Sequence, residues 1–450
     1  MSATPAAPAR RALRGDLLDF SAAPEWGAVG STAVRFRPDH WLLIQNGRIA
    51  GAQHGEQTPD ASWELHDHRG KLILPGFIDT HVHCPQLDVI ASYGSGLLDW
   101  LDTYTFPAER RFVDPEVAQA GAALFLDALL AHGTTAAVVF PTVHKVSADA
   151  LFAEANARNM RVVTGKVLMD RHAPDFLRDD VPGAERDCED LIQRWHGRGR
   201  NAYAVTVRFA VTSTPEQLTM AGALLQRHDG LFMQTHVAEN RDEVAWVAKL
   251  FPEARSYLDV YDHYQLLNER AVLAHGIWLD AHDRALLADT GAQIAFCPTS
   301  NLFLGSGLFD WQAAVETGHK VSFATDVGGG TSLSMLRTLA EGYKVQMLRG
   351  TKLSAWTALY TATRGAAETL GLAHEIGHFD EGALADVVVW DWATGTVPLH
   401  RDAVARGAVP PLPEQTLHAR VFAWMMLGDE RNVVSSYVAG EQKFARETSR

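Results

Sequence analysis

Eight short β-rich runs, each followed by a segment with helical spacing, constrain this chain more than any other feature of its sequence. The runs are Phe77–His83, Ala136–Phe140, Val162–Met169, Ala202–Phe209, Phe232–Val237, Val272–His275, Gln293–Phe296 and Lys320–Thr325. Between them lie segments with helix-start chemistry, such as Ser147 ahead of Ala150, Leu151 and Phe152, and Thr214-Pro215-Glu216 ahead of Leu218 to Leu225. Strand and helix alternating eight times predict an α/β chain whose residues 73–375 form a (β/α)8 TIM barrel. The 450 residues leave room for a barrel of about 250 residues with additions at both ends.

Those additions read as β structure. Trp41 to Ile49 is two strand-like pieces around Asn46-Gly47, a strong hairpin signal, and Lys71 to Leu74 adds a short strand. Beyond the barrel, Gly377 to Trp390 and Val433 to Val438, the latter followed by Ala439-Gly440-Glu441, again read as strand and turn. Each set is too small to bury its own apolar face, so residues 15–72 and 376–450 are expected to join in one small β-sandwich domain. Residues 1–14 carry Arg10, Arg11 and Arg14 with no acidic residue and read as a flexible N-terminal tail. Val409-Pro410-Pro411-Leu412-Pro413 reads as an extended surface loop.

Composition excludes several function classes. The 47% hydrophobic and 21% charged residues are ordinary for a globular enzyme and exclude a largely disordered chain. No apolar run approaches the roughly 18 residues of a membrane span. A formal net charge of -14 disfavours nucleic acid and anionic membrane as partners and leaves a small neutral substrate open. Three cysteines, Cys84, Cys188 and Cys297, are few and odd in number, which suits a reducing, cytoplasmic compartment.

The first barrel run ends in His81 and His83, which share one side of the strand. A lone His-x-His reads equally well as two hydrogen-bonded core histidines. Here Arg208, His236, His275 and Asp326 also stand at or just past the ends of later runs, where a barrel collects its catalytic groups. His81, His83 and His236 supply three nitrogens and Asp326 an oxygen, a ligand set suited to one zinc ion with room for a water. Glu239, three residues after His236, can reach the same rim as a proton donor. Gly328-Gly329-Gly330-Thr331-Ser332 lacks the Gly-Lys-Ser/Thr ending of a phosphate loop and reads as room for backbone near a substrate.

Pro75-Gly76-Phe77-Ile78-Asp79-Thr80-His81-Val82-His83, with Thr235-His236, Ala274-His275-Gly276 and Thr325-Asp326, resembles the amidohydrolase superfamily. Finer matches resemble its guanine deaminase family: Cys84-Pro85-Gln86, Leu97 to Leu101 with Thr105-Phe106-Pro107-Ala108-Glu109, Arg208-Phe209, Glu239 to Val244, and Phe296 to Leu302. The similarity runs from about residue 40 to the C-terminus and departs at Val207, where proline is expected, and at Asp380 to Asp386, which lacks a lysine. The resemblance implies zinc-dependent hydrolysis of guanine to xanthine and ammonia. It implies the same four metal ligands, substrate contacts from His83, Cys84, Pro85, Gln86, Arg208, Phe209, His236, Glu239 and Asp326, and a homodimer. Relatives that bridge two metals use a modified lysine on the fourth strand, and Tyr203 to Phe209 contains none, so one metal is expected.

Roles follow from the chemistry. Glu239 is expected to protonate a ring nitrogen, and Asp326 to pass a proton from the attacking water to the departing amine. His275 is expected to orient that water, with metal ligation as the alternative. Arg208 carries only donors and suits a carbonyl such as guanine O6, whereas Gln86 can read a mixed donor and acceptor edge. Trp100, His144 and His172 are candidates to line the pocket or its lid. Competing readings make Glu239 a solvated helix start, Arg208 a barrel-rim salt bridge and Cys84 inert packing. At the level of the whole chain the competitors are a superfamily hydrolase acting on a modified purine, a pyrimidine or a triazine, and a metal-free scaffold with the same fold.

Overall fold

The computed structural model describes residues 10–94, 96–407 and 416–447. Four strands come first: β1 (Arg10–Phe20), β2 (Val34–Gln45), β3 (Arg48–His54) and β4 (Glu64–Pro75). The Asn46-Gly47 turn joins β2 to β3 with φ of 53° and 77°, the two left-handed residues that a type I′ hairpin demands. β1 begins at Arg10, inside the stretch expected to be a loose tail. Its charges are neutralised by neighbouring strands, Arg11 pairing with Glu64 at 2.7 Å and Arg14 with Asp39 at 2.7 Å. The expected 409–413 loop, like residues 1–9 of the tail, lies outside the described residues.

The barrel strands are β5 (Phe77–His83), β6 (Thr134–Phe140), β7 (Arg161–Thr164), a two-residue β8 (Val167–Leu168), β9 (Ala202–Val207), β10 (Phe232–Val237), β11 (Ala271–His275), β12 (Gln293–Phe296) and β13 (Lys320–Phe323). They pair in parallel in the order β13-β12-β11-β10-β9-β7-β6-β5, with β8 on β9. Every residue of β5 and β6 is buried, so these runs do not alternate between a buried and an exposed face, and the polar residues of β5, Asp79, Thr80, His81 and His83, are buried with the rest. The single run expected over Val162–Met169 is broken at Gly165-Lys166, because Gly165 passes so close to β9 that a Cβ there would lie 1.9 Å from Ala204 O. The ring closes beyond β13, where Asp326 N–H donates to His81 O at 2.9 Å and His83 N–H to Val327 O at 2.8 Å. Helices cover the strands, and Thr214 caps one of them by accepting from Gln217 N–H. Ser147 does not start a helix as expected: that helix runs Lys145–Arg158, and the Ser147 hydroxyl accepts from Thr142 N–H instead.

The C-terminal segment returns β14 (Val387–Trp390), β15 (Val433–Val438) and β16 (Glu441–Ala445) to the first four strands. The order is β16-β15-β14-β4-β1-β2-β3, so both chain ends share one mixed sheet, linked by hydrogen bonds through all seven strands. β4 pairs with β1 as far as Ile73 and with β14 as far as Pro75, so this sheet strand runs on past residue 72 before β5 begins at Phe77. A Cβ on Gly76 would lie 2.1 Å from Thr135 Oγ1, which leaves only glycine at this crossing. Buried Asp386 ties the two parts together. It takes two bonds from Arg200 at 3.0 and 2.6 Å and one from Ala439 N–H at 2.9 Å, while its own carbonyl accepts from Gly76 N–H. Cys84, Cys188 and Cys297 are buried free thiols. No helix among the described residues is long and apolar enough to cross a membrane.

Candidate active site

The ends of β5 and β10 and the turn after β13 bring four donor atoms together. His81 Nε2 and His83 Nε2 lie 3.2 Å apart, His83 Nε2 and His236 Nε2 3.2 Å apart, and Asp326 Oδ1 lies 3.1 Å from His81 and 3.3 Å from His83. Donors placed tetrahedrally at about 2.0–2.1 Å from a centre are separated by about 3.3 Å. The four side chains thus have the spacing of a metal site, and lone pairs that would repel each other at this distance are reconciled by a cation between them. His236 Nδ1–H donates to Arg208 O at 2.6 Å, which fixes the tautomer and leaves Nε2 unprotonated. Burial pushes His83 down to about 3 and His236 well below the usual imidazole value, so both rings are neutral and could offer a lone pair to a cation. Burial alone would raise Asp326, but the neighbouring His81, His83 and His275 outweigh it and hold the carboxyl well below its ordinary range.

His275 and Glu239 complete the floor of the site. His275 Nδ1–H donates to Asn301 Oδ1 at 2.9 Å, turning Nε2 towards Glu239 Oε2 at 3.3 Å and Asp326 Oδ2 at 3.8 Å. His275 and Asp326 both sit at positive φ, 75° and 50°, a conformation that costs energy outside glycine and recurs where a site over-determines the backbone. His275 also belongs to a second possible ligand group with Cys297 and Asp326. The Cys297 thiol donates to Ala295 O, and burial raises its pKa well above the usual value, so it is a poor ligand and the histidine-rich group is favoured. Glu239 is buried, not a solvated helix start. Burial, then the charge of Asp326, pushes it up to about 8, and the Ser306 hydroxyl donates to its Oε1 at 2.8 Å.

Above this floor lies a cavity lined by His83, Gln86, Trp100, Arg208, Phe209 and Glu239 among others. Arg208 is both the pocket residue and the ion pair that the sequence left as alternatives. It lines the cavity while its Nη1 donates to both oxygens of Glu109 at 2.8 Å. Gln86 donates from Nε2 to Glu109 at 3.3 Å and accepts at Oε1 from Gly328 N–H at 3.2 Å. A Cβ on Gly328 would lie 2.6 Å from Gln86 O, so the glycine run does give backbone room beside the cavity.

Two expected contacts are placed elsewhere. Cys84 and Pro85 do not line the cavity; Cys84 packs in the apolar cluster with Val82, Phe112 and Val139, and burial raises its thiol far above the usual value. His172 stands against Trp246 at 5.2 Å, and His144 precedes the Lys145–Arg158 helix, both off the lining, whereas Trp100 is on it. Asn301, Ser306 and Glu109 are site residues that the sequence did not single out as such. Asn301 and Glu109 stood inside the quoted motifs, but nothing local marked them as buried partners of His275 and Arg208.

The Amidohydrolase family model matches residues 72–443. A guanine deaminase of Escherichia coli (strain K12) is 44% identical over 441 residues, covering 97% of this chain and 98% of that protein. The crystal structure of guanine deaminase from Bradyrhizobium japonicum superposes with a TM-score of 0.92 at 34% identity, covering 98% of this chain and 100% of the other. That of guanine deaminase from C. acetobutylicum with bound guanine in the active site gives a TM-score of 0.85 at 26% identity, covering 97% and 100%.

Proposed function

The chain belongs to the amidohydrolase family and, within it, to the guanine deaminases, and on that premise we propose that its buried site hydrolyses guanine to xanthine and ammonia with one zinc ion. The observation that carries the reading is the junction of two features. A single-cation cluster of His81, His83, His236 and Asp326 lies beneath a cavity whose polar lining includes the donor-only Arg208 and the two-faced Gln86. His81, His83, His236 and Asp326 would hold the zinc, which when bound supplies the Lewis acidity that makes water nucleophilic near neutral pH.

The chain's own residues account for binding and proton movement. Arg208 Nε and Nη2, which Glu109 does not take, donate to the guanine carbonyl and cannot satisfy an amino group in its place. Gln86 reads an adjoining edge, and Phe209 bounds the ring. Glu239, pushed up to about 8, holds a proton at neutral pH, delivers it to a ring nitrogen and recovers one from the added hydroxyl as the product carbonyl forms; the Ser306 bond to Oε1 leaves Oε2 to carry that proton. Asp326, held ionised, takes a proton from the attacking water through Oδ2 and returns it to the departing amine. His275, with Nδ1 committed to Asn301, orients the water from Nε2. Residues 10–375 thus supply every group the reaction needs, and the reading includes a cytoplasmic homodimer.

The test is direct. Purified protein is incubated with guanine while ultraviolet absorbance and ammonia are followed together. Xanthine and ammonia in equal amounts support the reading, and guanine left intact by zinc-loaded protein overturns it.

A further inference from the structure

We infer that Glu109 is a positioning residue for substrate recognition, acting through Arg208 and Gln86 rather than on the substrate itself. The inference rests on the reading that the cavity takes guanine. Glu109 is fully buried and does not line the cavity, yet it touches both polar readers that do. Its two carboxylate oxygens share one guanidinium nitrogen, Arg208 Nη1, at 2.8 Å each, and Oε1 also takes Gln86 Nε2–H at 3.3 Å.

This arrangement fixes three things at once. Engaging Nη1 alone sets the rotation of the Arg208 plane and leaves its other donors for a ligand. Accepting from Nε2 sets which end of the Gln86 amide is which, because Gly328 N–H already holds Oε1 at 3.2 Å. Glu109 also neutralises a guanidinium that would otherwise be an uncompensated charge in a dry pocket. The carboxylate is carried on Phe106–Arg110, and the Phe106 ring lies 5.3 Å from the Arg208 guanidinium carbon. The chain just before it, Leu97, Trp100 and Leu101, lines the cavity wall. Glu109 therefore joins that wall to the readers on β5 and β9, so that ordering one orders the other.

A carboxylate kept only for stability would lower the melting temperature and leave recognition alone. A positioning carboxylate moves KM. Misplacing a reader by about 1 Å can cost up to about 100-fold, so Glu109→Gln, which keeps the shape and loses the charge, is expected to raise KM for guanine by about 10- to 100-fold, with kcat changed by less than about threefold. With Arg208→Ala already in place, adding Glu109→Gln is expected to raise KM by much less than it does in wild type, because only the part of its effect that runs through Gln86 remains. Glu109→Asp retains the charge and serves if the glutamine variant does not fold; its KM is expected to lie between those of wild type and Glu109→Gln, or above wild type by at least about threefold when measured alone. A folded, zinc-loaded variant whose KM stays within twofold of wild type, or effects of Glu109 and Arg208 that multiply independently, would overturn the inference. Wild-type protein that does not deaminate guanine would instead overturn the functional reading on which it rests.

Discussion

Replacing Asp79 by alanine tests how the fold holds the metal ligands in register. Asp79 is fully buried on β5, two residues before His81, and faces the segment leading to Asp326. Its carboxylate accepts from Thr325 N–H at 3.0 Å, from the Thr325 hydroxyl and from His81 N–H at 3.3 Å. Alanine leaves those three donors in a dry interior at about 1–3 kcal/mol for each one unsatisfied, with the hydroxyl able to turn elsewhere. With the two N–H groups left, the expected loss is about 2–6 kcal/mol, a large part of the roughly 5–15 kcal/mol by which domains are stable. Asparagine keeps an acceptor for the two N–H groups and sets an amide against the hydroxyl, so it should cost about 1–2 kcal/mol. Urea unfolding at unchanged slope measures both. Because Thr325 carries Asp326, whose N–H is bonded to His81 O at 2.9 Å, zinc retention against a chelator should weaken in the same order. An alanine variant within 1 kcal/mol of wild type, or one that loses stability but holds zinc as firmly as before, would refute the reasoning.

Two further predictions concern the groups behind Glu239 and His275, the residues proposed to act on the substrate and the water. Glu243 is pushed from 4.5 up to about 7 by burial and then by Glu239, so the folded chain keeps this proton where the unfolded chain has released it. Stability of metal-stripped wild type should therefore fall with rising pH between about 4.5 and about 7 relative to Glu243→Gln, and parallel pH profiles of the urea midpoint would contradict this. Asn301→Ala removes the acceptor that sets the His275 tautomer, and kcat for guanine should drop by about 10- to 100-fold with KM little changed; a change confined to KM would move His275 from chemistry to binding.

What the sequence made legible was what local pattern dictates. Short β-rich runs bounded by turn and helix signals let β5, β10 and β12 be read to the residue, and the histidines at or near the ends of β5, β10 and β11 announced themselves by position. What stayed hidden depends on partners distant in the chain. Arg10 to Arg14 read as a solvated tail because the acids that neutralise them, Asp39 and Glu64, lie on other strands. Lys166 interrupts an apolar run without harm only because Asp179 reaches its buried ammonium. Glu109 looked like one more helical acid, and its partner Arg208 is 99 residues away. Cys84 stood open to two readings, pocket residue or inert packing, because its place beside His83 does not say which way the side chain turns; it lies in the apolar cluster with Val82 and Val139.

The measurement that tests the central claim most directly is guanine turnover against zinc content. Protein stripped by chelation is refilled stepwise, and each sample is assayed for zinc per chain and for xanthine formed. Turnover should rise in proportion to zinc and level off at one ion per chain, and His236→Ala should neither retain the ion nor turn over guanine. Full turnover in stripped protein, or a plateau at two ions per chain, would contradict the single site built from His81, His83, His236 and Asp326.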